Sequence, residues 1–205
     1  ASDLIILTDS DGVKSVDVQN SKYAVGVYGE NSVITNQTLG NISIGYGSIG
    51  VVAKKGSAVN DGAITGTGDR MMGMYSEGAT VTNNGTITLV GDDVIGMAGN
   101  GKGSVLINSS TGVINVSGQN AIGIVTDFGN IENNGTISGT GDSSVGIYGA
   151  NGTLSKNTGT IEVGNSGIGI YGSNLLSATA PDYGNKFIEI ENAGIIKSTG
   201  VTAGS

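Results

Sequence analysis

"TVTNNGTITLVGDDVIGMAG", residues 80–99, is echoed at residues 129–149 by "GNIENNGTISGTGDSSVGIYG". Both hold the same five residues, Asn83 to Ile87 and Asn133 to Ile137, and nine residues beyond each isoleucine a glycine stands between two apolar side chains, Gly96 and Gly146. Working outward, that glycine recurs at Gly26, Gly50, Gly73, Gly96, Gly123, Gly146 and Gly169, in steps of 24, 23, 23, 27, 23 and 23. The isoleucine recurs at Ile42, Ile64, Ile87, Ile114, Ile137, Ile161 and Ile196, in steps of 22, 23, 27, 23, 24 and 35. Two anchors that drift together make residues 1–205 one repeat array of about 23-residue units. A short insertion falls in the fourth unit and a larger one, a loop at 173–187, precedes the last anchor.

Composition narrows the class. With 38 Gly, one Pro, no Trp and two Phe in 205 residues, there is little bulk for an ordinary globular core. Hydrophobic residues still reach 37%, too many for a disordered chain. The apolar pattern has a period of two and never a helical one, which indicates strands separated by Gly, Asn, Asp and Ser turns. The residues flanking each repeat glycine, such as Val25 and Val27 or Ile95 and Met97, are expected to point inward and the glycines outward. A second inward column holds the anchor isoleucines with Ile44, Leu89, Val116 and Val163, and a third holds Ile34, Ala58, Val81, Leu106, Ile131 and Ile190. Three short strands per unit that stack on copies of themselves make an all-β, single-stranded parallel β-helix. About eight rungs are expected, about 40 Å of rod at ~4.8 Å per rung, right-handed by the usual preference of parallel crossovers.

The turn chemistry fits such a stack. Asn60, Asn83, Asn133, Asn157 and Asn192 stand four residues before their anchor, with Thr38 and Ser110 expected in the same place in the two longer turns. Stacked asparagines bond amide to amide along a rod. A surface position for this column predicts that Asn83→Ala is milder than Ile87→Ala. Gly40, Gly62, Gly85, Gly112, Gly135, Gly159 and Gly194 follow the asparagine position and are expected to supply positive φ.

Charge and residue chemistry exclude several functions. Nine basic against 17 acidic residues give a net charge of −8, which repels a phosphate backbone, so no nucleic-acid partner is expected. The longest aliphatic run, Leu4 to Leu7, is too short to span a bilayer, so no membrane insertion by this chain is expected. The absence of Cys suits transit through an oxidising compartment. Parallel β-helices also host polysaccharide-cleaving enzymes, whose sites need convergent carboxylates or carboxylate-bound Ca²⁺ with a base. With no His, no Cys and the single Arg70, only the column Asp69, Asp92 and Asp142 competes, and turn chemistry accounts for it. The stretch Asp9 to Gly12 resembles the opening of a Ca²⁺ loop but lacks the closing Glu, and Asp92 and Asp93 near Asp69 are read as turn residues. No enzyme activity, metal or cofactor is expected. The outward Thr rows are too irregular for a lattice match to ice, Glu162 and Lys197 interrupting them.

Tandem units of the form Gly146-Ile147-Tyr148-Gly149 and Asn133-Asn134-Gly135-Thr136-Ile137 resemble the passenger domains of Gram-negative autotransporters (type V secretion), notably the large fusobacterial-type outer-membrane adhesins, over residues 20 to 205. The resemblance implies a passenger segment displayed at the bacterial cell surface by a C-terminal outer-membrane barrel elsewhere in a longer chain. It implies adhesion as the task, with a host-cell or bacterial surface receptor, protein or glycan, as partner. A carbohydrate-active β-helix or a purely structural spacer is the alternative. Two features are candidates for contact. Tyr28, Tyr75, Tyr148 and Tyr171 fall on one outward stripe, where they either shield outward glycines or offer a flat aromatic face. The 173–187 loop carries Leu175, Leu176, Tyr183 and Phe187 as a second contact surface, or as a flap over the core.

Overall fold

In the turn from Thr80 to Asn100, runs of Thr, Val and Ile form three strands, Thr80–Asn83, Thr86–Val90 and Ile95–Asn100. Each pairs in parallel with its equivalent one turn before and one turn after. Val81 lies between Ala58 and Leu106, Ile87 between Ile64 and Ile114, and Met97 between Met74 and Ile124. Repetition builds three parallel sheets of eight, eight and seven strands, here called first, second and third in the order the chain visits them. The computed structural model describes residues 4–7, 15–174 and 187–199. The result is a β-solenoid of about seven turns at roughly 24 residues per turn, close to the expected eight of 23. Asp9 to Gly12 and the loop residues Leu175, Leu176 and Tyr183 lie outside the described residues.

Two of the three expected inward columns stand as read. The anchor isoleucines Ile42, Ile64, Ile87, Ile114, Ile137 and Ile161 are wholly buried, with Ile44, Leu89, Val116 and Val163 beside them. In the first sheet Ile34, Ala58, Val81, Leu106 and Ile131 are buried, and Ser155 fills the turn between Ile131 and Ile190. Ile190 and Ile196 sit on the last strands of their sheets and are exposed.

The third column is the main correction. The repeat glycines face inward, and the residues before them, Val25, Ile49, Met72, Ile95, Ile122, Val145 and Ile168, face outward. Strict alternation fails because two consecutive residues turn inward: both Gly73 and Met74 are buried in a strand whose neighbours Met72 and Tyr75 are half-buried. The third sheet here runs so close to the second that a Cβ on Gly73 would sit 2.7 Å from Ile87 Cγ2 and 2.5 Å from the Gly96 carbonyl oxygen. The repeat glycine is therefore the contact partner of the repeat isoleucine. That is why the two anchors keep step in the sequence.

The asparagine column also differs in detail. It runs Asn36, Asn60, Asn83, Asn108, Asn133, Asn157, Asn192, each Nδ2 donating to the next Oδ1 at 2.7–2.9 Å. Thr38 and Ser110 are not members, because the extra residues of the long turns lie between the asparagine and the following glycine. From Asn36 to Asn157 the ladder is buried, not superficial. Each amide also donates to a carbonyl of its own turn, as Asn83 does to Gly85 at 3.2 Å. The glycines two to four residues later do not adopt positive φ. They are glycine because a Cβ at Gly62, Gly85 or Gly135 would fall onto the carbonyl oxygen of the equivalent glycine one turn earlier.

Left-handed backbone does occur, at the two corners flanking the third sheet. Tyr23, Gly47, Arg70, Asp93, Asn120, Ser143 and Ser166 all have φ between 53° and 66°, each three residues before a repeat glycine. Each such N–H from Tyr23 to Ser143 donates to a carbonyl of the next turn, as Arg70 does to Asp92 at 2.9 Å. A non-glycine residue in this region costs roughly 1–2 kcal/mol, which the stacked hydrogen bonds offset.

Three substitutions test these assignments by chemical denaturation. Gly73→Ala is expected to cost about 1–3 kcal/mol by overpacking against Ile87 and Gly96; an unchanged midpoint would contradict the inward glycine. Ile87→Ala is expected to cost about 2–5 kcal/mol. Asn83→Ala strands the buried Asn108 Oδ1 and is expected to cost about 2–4 kcal/mol, comparable to the core truncation. A loss below about 0.5 kcal/mol would show that water replaces the ladder.

Candidate functional site

The three outer faces of the solenoid share one scaffold and differ in chemistry. On the second sheet the outward positions are mostly hydroxyls, amides and charges, including Thr65, Thr86, Thr88, Asn115, Ser138 and Glu162. The first sheet mixes Val59, Ile107 and Leu154 with Thr80, Thr82, Glu132 and Lys156. The third sheet is different. Its first two outward columns are Val25, Ile49, Met72, Ile95, Ile122, Val145, Ile168 and Tyr28, Val52, Tyr75, Ala98, Val125, Tyr148, Tyr171. Every one of these side chains is aliphatic, methionine or tyrosine. A parallel sheet that reads apolar on both faces is normally covered on both.

The outward tyrosine stripe stands as read, but its expected shielding role does not. The repeat glycines point into the core, so the tyrosines cannot lie across them. Tyr148 and Tyr171 pack against each other with ring centroids 5.2 Å apart at 39°, and Tyr171 is 45% exposed. Tyr28, 52% exposed, donates its hydroxyl to Glu30 at 3.3 Å. Desolvation on the face and then the Glu30 carboxylate raise its phenol above the ordinary pKa. Tyr75 and Tyr148 are half-buried by their neighbours in the stripe. Six-residue strands at ~3.3 Å per residue and six spacings of ~4.8 Å give a sheet face of roughly 20 by 30 Å, on the order of 600 Å², of which the two apolar columns, four residues across, take on the order of 400 Å². An apolar patch of that size matches the largest on a typical soluble monomer, and such patches are often functional.

The face is rimmed by charge. The third outward column begins Glu30, Lys54, Glu77, and Lys54 Nζ lies 3.7 Å from a carboxylate oxygen of each glutamate. Glu30 and Glu77 hold the Lys54 ammonium above its usual pKa. On the opposite rim, at the left-handed corner, stand Lys22, Tyr46, Asp69, Arg70, Asp92 and Asp93. Sequence reading missed this face because it assigned Val25, Ile49 and their equivalents inward. The signal was present in the apolar residues on both sides of a glycine too small to be a surface position among them.

Of the loop candidates only Phe187 is described, and it is 80% exposed. The acidic column is structural. Asp69 Oδ1 accepts the Asp92 N–H at 3.0 Å, Asp92 Oδ1 the Gln119 N–H at 2.8 Å, and Asp142 Oδ1 an Asn165 amide proton at 3.2 Å. These carboxylates bridge turns and do not converge. Among the described residues no group of three or more His, Cys, Asp or Glu is placed to hold a metal ion, and no helix is long and apolar enough to cross a membrane. A groove of about 290 Å³ along the second sheet is lined by Gln19, Asn20, Ser43, Thr65, Gly66, Thr67, Thr88 and Val90 and carries no charged side chain. The chain matches no known protein family, curated protein or solved structure.

The structural assignment of the acidic column is checked by paired substitutions. Asp92→Asn keeps the acceptor for Gln119 and is expected to leave the melting temperature unchanged, whereas Asp92→Ala is expected to cost about 0.5–1.5 kcal/mol. Equal, large losses for both would mean that the negative charge itself is required.

Proposed function

We propose that this chain is an extended, non-enzymatic binding and spacer segment of a bacterial surface adhesin, of the autotransporter-passenger type that its repeats resemble. The reading rests on the outer face of the third sheet, the one outer face of three whose two main columns lack polar side chains apart from tyrosine hydroxyls. Outward aliphatic and aromatic groups that pack on their neighbours in the next turn gain only part of what burial offers, and covering the side they leave in water would complete it. Tyrosine suits a face that is both wet and recognising, because its ring packs while its hydroxyl stays hydrated. In this reading Tyr28, Tyr75, Tyr148 and Tyr171 contact a protein or glycan on an opposing surface. Phe187, exposed at the end of the insertion, is a further candidate contact, while the loop candidates Leu175, Leu176 and Tyr183 lie outside the described residues. The rest of the solenoid holds the face away from its anchor.

The experiment is an array of host proteins and glycans probed with the chain and with Val125→Lys/Tyr148→Lys. Both sites are outward, so the double variant is expected to stay folded, with a melting temperature lowered by the two stacked lysines, and to lose the signal of the parent. Binding that survives the double variant would move the contact to another face. Product release from a polysaccharide panel would replace the adhesin reading by an enzymatic one.

A further inference from the structure

We infer that the third-sheet face pairs with the same face of a second copy, the two solenoids lying side by side, parallel and in register. The inference rests on the proposal that this face is the contact surface, and it names the partner.

Area and shape allow it. Two such faces bury on the order of 1,200 Å² together, above the ~1,000 Å² that a specific interface needs. Both are sheets, and sheets pack face to face about 10 Å apart with interdigitating side chains. The rim selects the orientation. A two-fold axis along the rod sets each leading corner against the trailing edge of the same turn in the other copy. Lys22 then faces Glu30, Tyr46 faces Lys54, and Arg70 faces Glu77. These are two opposite-charge pairs and one cation beside a ring, added to the contacts each copy already makes, Lys54 between Glu30 and Glu77 and Lys22 over Tyr46. Asp69 beside Arg70 also faces Glu77, so the third turn sets one opposite-charge pair against one like-charge pair, and Lys22 with Glu30 carries the net attraction. A two-fold axis across the rod makes the copies antiparallel. That arrangement sets Glu77 against Asp127 and the Asp92–Asp93 corner against itself, with no opposite-charge pair in compensation. Like charges in apposition disfavour a partner. Parallel pairing is also the geometry open to rods standing side by side on one surface, and a paired face is closed to a ligand on an opposing surface, so the two contacts compete for it.

Sedimentation equilibrium of the 205-residue chain tests this. The net charge of −8 per copy opposes association, so the measurement uses physiological salt, where exposed charges beyond about 8 Å are screened. A monomer–dimer equilibrium is expected, abolished by Val125→Lys/Tyr148→Lys. Arg70→Glu alone and Glu77→Arg alone are each expected to raise the dissociation constant roughly tenfold. The double exchange Arg70→Glu/Glu77→Arg is expected to restore it to within about threefold. Circular dichroism melts establish that each variant is folded. A parent that stays monomeric overturns the inference, as does a dimer indifferent to the face variants. Failure of the charge exchange to rescue overturns the parallel register. None of these outcomes touches the array result, so a face that recognises only foreign ligands would show as array binding without dimerisation.

Discussion

Parallel pairing of every turn with the next in the same register is the constraint on which the rest depends. Because each residue stacks on its own equivalent, a requirement at one position is imposed at every turn. The Ile87 pocket is also the Ile64 and Ile114 pocket, and the close approach that excludes a side chain at Gly73 excludes one at Gly50 and Gly96 as well. The repeat in the sequence is the record of that stacking. Insertions are tolerated only where the chain leaves the sheets, as in the long turns after Asn36 and Asn108.

The same constraint makes the polar interior stable. A single buried asparagine amide in an apolar core is costly, because its donors and acceptor compete with lost water. Stacked at one register, each asparagine satisfies the next, and the two donor protons divide between the following Oδ1 and carbonyls of the ladder corner. Only the end is left over. Asn36 Oδ1 has no partner, since the residue paired with Asn36 on its far side is Leu7. A ladder of this kind is cooperative.

Freed from the interior, the outer faces are where this solenoid carries individuality. Two faces took the hydroxyls, amides and charges that keep a rod solvated. The third took aliphatics and tyrosines, and only its rim is charged. The thin contact between the third and second sheets links this to the core. With glycine facing the anchor isoleucine, the residue preceding it is displaced to the outside, so the apolar pair flanking each glycine supplies both a core column and the candidate contact column.

The period, the all-β parallel architecture, the anchor isoleucines and the outward tyrosines were legible in the sequence alone. They follow from local strand patterning and from recurrence, and both are properties of the linear chain. The orientation of the glycines was not legible, because two consecutive inward residues break the alternation from which a facing is read, and only the distance to Ile87 explains the break. Asn36 and Asn108 were hidden because the ladder aligns with the strand ends, not with the following anchor. The left-handed corners fall on Gly47, Asp93 and Asn120 but equally on Tyr23, Arg70 and Ser143, so residue type is an incomplete signal there; the turn-to-turn hydrogen bonds impose the conformation. What a residue is, and how often it recurs, lies in the sequence. Which side of a strand it occupies was decided by how closely two sheets approach, a distance that exists only once the turns are stacked.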